Sequence, residues 1–134
     1  MDTPTDMKRT RSAIIAVVDD EQPVLESVAD FLESAGYAVS AFQSAQEFLD
    51  SNVLPSIACL ISDIHMPVMD GWELQAVVHA ERANLPMVLI TGRHVSSDAR
   101  RVSVQTLQGA ALRLFKKPFD AHNLLVAVNS MVRT

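Results

Sequence analysis

Cysteine is nearly absent: Cys59 is the only one in 134 residues, so no internal disulfide can form, and no Cys/His spacing suits a zinc site. Long hydrophobic runs are also missing. The longest, Ala13–Val18 and Ile57–Ile61, fall far short of the ~18 residues that a membrane-spanning helix needs. Lys8, Arg9 and Arg11 precede the first run, but Asp19 and Asp20 end it after six residues, which excludes a signal peptide. Basic residues are too few, 11 against 16 acidic, to form the clustered patch that nucleic acid or an anionic membrane requires. Neither a Walker-type loop nor a G-x-G-x-x-G run is present. Internal repeats and low-complexity segments are absent too. Aromatics make up only 5% of the chain, yet 49% is hydrophobic and rich in Leu, Ile, Val and Ala, which implies a packed core. The expectation is a cytoplasmic protein with a single domain, the size at which one core suffices.

The pattern alternates strands with helices. Residues 1–11 are polar, carry Pro4 and read as a flexible tail, leaving 12–133 as the domain. Ala13–Val18 is a continuous apolar run, the signature of a strand covered on both faces. Val24, Leu25, Val28, Phe31 and Leu32 form one stripe of a helix that ends before Gly36. Tyr37–Phe42 alternates as a half-buried strand. Ser44 and Glu47 have the spacing of a capping box, opening a short helix with Phe48 and Leu49 inward. Ile57–Ile61, Met87–Ile90 and Leu112–Phe115 read as further strands, Gly71–Glu81 and Ser97–Leu107 as helices. Asp120 caps a last helix carrying Leu124, Leu125, Val128 and Val132. Five strand–helix units of this kind predict an α/β fold, a doubly wound, flavodoxin-like five-stranded parallel sheet. Ligands of such sheets sit at the carboxyl ends of the strands.

Those ends carry Asp19 and Asp20, Asp63, Thr91 and Lys117, followed by Pro118. Singly, each has a plain structural reading: Asp20 as a helix N-cap, Asp63 as a turn residue, Thr91 as a β-former, Lys117 as a solvated lysine. Together they describe one site. Three carboxylates within ~4 Å would repel by about 4 kcal/mol per pair at an effective dielectric near 20, so the cluster needs a proton or a cation. Hard oxygen ligands open to water suit Mg²⁺. A carboxylate beside Mg²⁺ and a lysine can attack a phosphoryl group, which points to aspartyl phosphorylation. A flavin phosphate, by contrast, would be repelled by Asp19-Asp20-Glu21.

Four segments carry a resemblance: Val17-Val18-Asp19-Asp20-Glu21, the D-x-x-M-P-x-M-D-G run from Asp63 to Gly71, Leu89-Ile90-Thr91-Gly92 and Lys117-Pro118-Phe119. Together they resemble the receiver domain of two-component response regulators. Gly36-Tyr37-Ala38-Val39 and the Ser44–Leu49 run further resemble receivers of the FixJ type, which usually precede a helix-turn-helix output domain. The resemblance implies that Asp63 takes a phosphoryl group from a sensor histidine kinase or a histidine phosphotransfer protein. It implies Mg²⁺ ligation by Asp20, by Asp19 through water, by Asp63 and by the backbone carbonyl of His65. Lys117 would pair with the phosphoryl oxygens, the Thr91 hydroxyl would swing toward them, and the Lys117–Pro118 bond would be cis. Such a protein is not an enzyme in the usual sense, since it catalyses only its own phosphorylation and dephosphorylation. It would act through protein contacts, with no direct nucleic-acid or membrane binding, and a homodimer would use the face of the fourth helix, fifth strand and final helix.

The sequence departs from the family pattern at the switch. Three residues before the lysine an aromatic is expected, and Leu114 stands there, with Phe115 one place later. The Thr91–Lys117 span is also longer than usual. These departures favour an alternative, a phosphorylation-independent interaction module on the same fold. An aspartate-nucleophile phosphatase would want an acid two residues after Asp63, where His65 sits. His65 and Arg93 flank the pocket in the family and are candidates for tuning phosphoryl lifetime. Cys59 and Trp72 read as packing, and Lys116 as solvated. Arg100, Arg101 and Arg113 read as a solvated or dimer-forming face.

Overall fold

The computed structural model describes residues 13–92 and 112–132. The predicted tail, the helix over Ser97–Leu107, and Arg93, His94, Arg100 and Arg101 lie outside the described residues.

Five strands, β1 (Ile14–Val18), β2 (Ala38–Phe42), β3 (Cys59–Asp63), β4 (Met87–Thr91) and β5 (Leu112–Lys116), form one parallel sheet in the order β2-β1-β3-β4-β5. Four helices are described: α1 (Gln22–Ser34), α2 (Ala45–Asp50), α3 (Gly71–Glu81) and α4 (Ala121–Val132). This is the predicted doubly wound sheet.

Strand alternation divides the core in two. Ile15, Val17, Cys59, Ile61, Val88 and Ile90 pack under α1 and α4, against Leu25, Val28, Leu32, Leu124 and Val128. Ala16, Val18, Leu60, Met87 and Leu89 point the other way, against Phe48 of α2 and Trp72, Leu74 and Val78 of α3. Each such Leu, Ile or Val contributes about 1.5–3 kcal/mol by leaving water, and both faces are needed to cover a parallel sheet. Cys59 and Trp72 are buried packing residues, as expected.

Local chemistry sets the element ends. Gly36 follows α1 at φ 103°, a left-handed conformation that costs a glycine little. Ser44 accepts a hydrogen bond from the Glu47 N–H at 3.1 Å, but the Glu47 carboxylate reaches the N–H of Gln43 and not that of Ser44. The reciprocal capping box is instead at α3: Asp70 accepts from the Glu73 N–H at 2.8 Å and Glu73 from the Asp70 N–H at 2.9 Å. Asp120 accepts from the His122 N–H at 2.8 Å at the start of α4.

The third strand is shifted from its predicted position. Leu54–Ser56, with Pro55 inside it, forms a 3₁₀ turn, and pairing with β1 begins only at Cys59. The strand therefore runs through Ser62 and Asp63, which hydrophobicity alone leaves out. The second strand likewise starts one residue later than predicted, at Ala38, because Tyr37 still donates its N–H to Leu32 of α1.

Candidate functional site

β1 and β3 are neighbours at the centre of the sheet, and the chain leaves both at the same edge. That edge brings Asp19, Asp20 and Asp63 together, with one carboxylate oxygen from each lying within 4.8 Å of the others. Asp19 and Asp63 are buried, whereas Asp20 is exposed. Asp20 does not cap α1; Glu21 takes the N-cap position, with no side-chain cap, and donates its own N–H to Asp19 Oδ1 at 2.9 Å. That bond fixes the Asp19 carboxylate against the strand end.

Lys117 enters from the end of β5, where its backbone N–H donates to the Thr91 carbonyl at 2.7 Å and its bond to Pro118 is cis. The ammonium Nζ lies 3.0 Å from Glu21 Oε1, 3.4 Å from Asp63 Oδ1 and 3.6 Å from Asp19 Oδ2. Thr91 is buried at the end of β4, and its hydroxyl lies 3.0 Å from the Nε2 ring nitrogen of His65. Asp20, Glu21, Asp63, His65, Gly92 and Lys117 line one cleft of about 460 Å³.

Electrostatics follow from burial. The Asp63 carboxyl is pushed up to about 6, first by desolvation and then by Asp19, with Lys117 pulling the other way. Burial also raises Asp19, against the Glu21 N–H and Lys117. For Lys117 burial disfavours the charge, but Glu21, Asp19 and Asp63 outweigh it and hold the ammonium above its ordinary value. Three carboxylates and one ammonium leave the cluster short of positive charge. A set of hard oxygen donors with that deficit fits a divalent cation such as Mg²⁺.

One residue important to the site has no role of its own in the sequence pattern. Glu21 reads from sequence only as part of the acidic run, yet it holds the nearest carboxylate to Lys117. Gly71 packs so closely under the strand end that an added Cβ would lie 2.6 Å from the Asp63 carbonyl oxygen. Gly71 closes the D-x-x-M-P-x-M-D-G run, which the resemblance expects to shape the loop after the strand, and the close approach gives that expectation a physical reason. Within that run, Val68 is fully exposed at φ 71°, an uncommon conformation for a β-branched residue.

The switch position is resolved by the strand pleat. Leu114 pairs with Leu89 and packs on the α2/α3 face, while Phe115 pairs with Ile90 and turns to the α1/α4 face. There it meets Phe119 edge-on, with ring centroids 6.2 Å apart. Phe115 therefore cannot stand in for an aromatic at Leu114. Lys116 is exposed, as expected, and so are Arg113 and His122. His79 is structural, contacting Gln75 at 2.8 Å and the Leu85 carbonyl at 2.9 Å.

Comparison with known proteins agrees with this geometry. The chain is 32% identical over 124 residues to the transcriptional regulatory protein FixJ of Bradyrhizobium diazoefficiens, covering 92% of this chain and 58% of FixJ. It is 30% identical to the response regulator protein TodT of Pseudomonas putida, covering 92% of this chain and 52% of TodT. The chain thus spans a little over half the length of these curated relatives. Among solved structures, full-length FixJ from B. japonicum superposes with a TM-score of 0.73 at 32% identity, covering 90% of this chain and 58% of that one. A CheY-like receiver domain protein from Methanospirillum hungatei superposes with a TM-score of 0.77 at 27% identity, covering 91% and 94%. Residues 15–129 match the response regulator receiver domain, and the chain belongs to that family.

Proposed function

We propose that this chain is a phosphorylation-dependent switch whose acceptor is Asp63. One observation carries the reading: a buried aspartate at the end of the central strand, flanked by Asp19 and Asp20, has a lysine ammonium 3.4 Å from its carboxylate. Asp19, Asp20, Asp63 and the carbonyl of His65 would hold Mg²⁺, which would neutralise the negative charge gathered in the cleft. An Asp63 carboxylate oxygen attacks the phosphorus of a phosphohistidine, on a sensor kinase or a phosphotransfer protein. The new O–P bond forms as the P–N bond breaks, and that electron pair leaves with the donor imidazole. Lys117 pairs with the transferred phosphoryl oxygens and the Thr91 hydroxyl turns toward them. The acyl phosphate carries about −2 where the carboxylate carried −1, and that change beside Lys117 biases the protein toward its signalling conformation. The output is a change in protein contacts.

Leu114 favours a second reading, an interaction module that signals without the phosphate, because an aliphatic side chain replaces the expected aromatic switch residue. Intact-protein mass after incubation with acetyl phosphate separates the two. A phosphoryl adduct that requires Mg²⁺, is lost in EDTA and is lost in Asp63→Asn establishes the acceptor. No adduct from either acetyl phosphate or a phosphohistidine donor, on folded protein, establishes the module.

A further inference from the structure

Lys117 must give up existing partners before its ammonium can neutralise a phosphoryl group. Of the three carboxylates around it, Glu21 is the nearest, accepting a hydrogen bond from Nζ at 3.0 Å. Glu21 differs from the other two. It stands outside the Asp19, Asp20 and Asp63 cluster, so a bound cation would not draw its carboxylate away from the lysine. Its side chain is 61% exposed against 23% for Lys117, so it reaches in from the rim of the cleft. Its backbone N–H is tied to Asp19, which sets where the side chain departs.

Resting on the phosphoacceptor reading above, we propose that Glu21 is a positioning residue that holds the Lys117 ammonium at the rim in the unphosphorylated protein and so opposes phosphorylation. Transfer of the ammonium to the phosphoryl oxygens breaks the Glu21 contact and leaves that carboxylate to water. Because the pair is largely solvated, it biases the equilibrium modestly, by roughly 1.5- to 5-fold.

The test is titration calorimetry with beryllofluoride and Mg²⁺, which reads occupancy of the phosphoryl position without turnover. Glu21→Gln removes the charge, and Glu21→Asp keeps it but withdraws it from Lys117. Glu26→Gln removes a carboxylate of the same helix that is hydrogen bonded to Gln22. Both Glu21 variants are expected to bind roughly 1.5- to 5-fold more tightly than the wild type, with Glu26→Gln unchanged. Unchanged binding in Glu21→Gln overturns the proposal. So does wild-type binding in Glu21→Asp, or equal tightening in Glu26→Gln, because either result makes net charge the cause. A wild-type protein that neither binds beryllofluoride nor forms an Asp63 adduct overturns the phosphoacceptor reading itself.

Discussion

The ring Nε2 of His65 lies 3.0 Å from the hydroxyl of Thr91, joining the loop after β3 to the end of β4 across the cleft. The pair is 26 residues apart in sequence. It gives His65 a role that its position beside the pocket did not specify. The ring occupies the hydroxyl that a phosphoryl group on Asp63 would recruit.

Replacing His65 by alanine is expected to ease that recruitment. A hydrogen bond of this kind contributes about 0.5–1.5 kcal/mol net, so beryllofluoride affinity in His65→Ala should rise roughly 2- to 10-fold. Affinity equal to the wild type, in calorimetric titration, would show that the contact does not oppose the switch.

The raised Asp63 carboxyl makes a prediction about pH. Its folded value of about 6 lies above the ordinary 3.8, so the folded state binds the proton more tightly than the unfolded state. Stability is then full below about pH 4, falls as pH rises toward 6, and stays lowered above it. Asp63→Asn, always neutral, escapes this loss. In EDTA it should be more stable than the wild type at pH 7, by on the order of 2 kcal/mol, with the gap closing near pH 4. Urea denaturation at the two pH values checks this, and a gap of the same size at both would remove Asp63 ionisation as its cause.

Gly71 provides a test of how the acceptor is supported. A Cβ there would lie 2.6 Å from the Asp63 carbonyl oxygen and 2.7 Å from Ile64 Cα, both backbone atoms that cannot move independently. Gly71→Ala should cost about 1–3 kcal/mol in stability and slow adduct formation, because the end of β3 must shift to make room. Unaltered denaturation and phosphorylation rates would mean that the loop relaxes without moving Asp63.

Much of this protein is legible in one dimension. Continuous apolar runs at Ala13–Val18 and Met87–Ile90 read as strands covered on both sides, and period-3.6 stripes such as Leu25, Val28 and Leu32 as a helix packed on them. Strand–helix alternation then dictates a parallel sheet and sends Asp19, Asp20, Asp63, Thr91 and Lys117 to one edge. Hydrophobicity could not place Ser62 and Asp63 inside β3, since a polar strand end looks like a loop until pairing with β4 includes it. The opposite faces taken by Leu114 and Phe115 depend on the pairing register, where one residue of slip exchanges them. Nor could spacing join Lys117 to Glu21, 96 residues away, or His65 to Thr91. Local periodicity determined which residues form strands and helices, because burial repeats with the backbone. Which carboxylate holds the lysine, and which ring holds the threonine, was decided by side chains converging from different strand ends, where only packing in three dimensions fixes the distances.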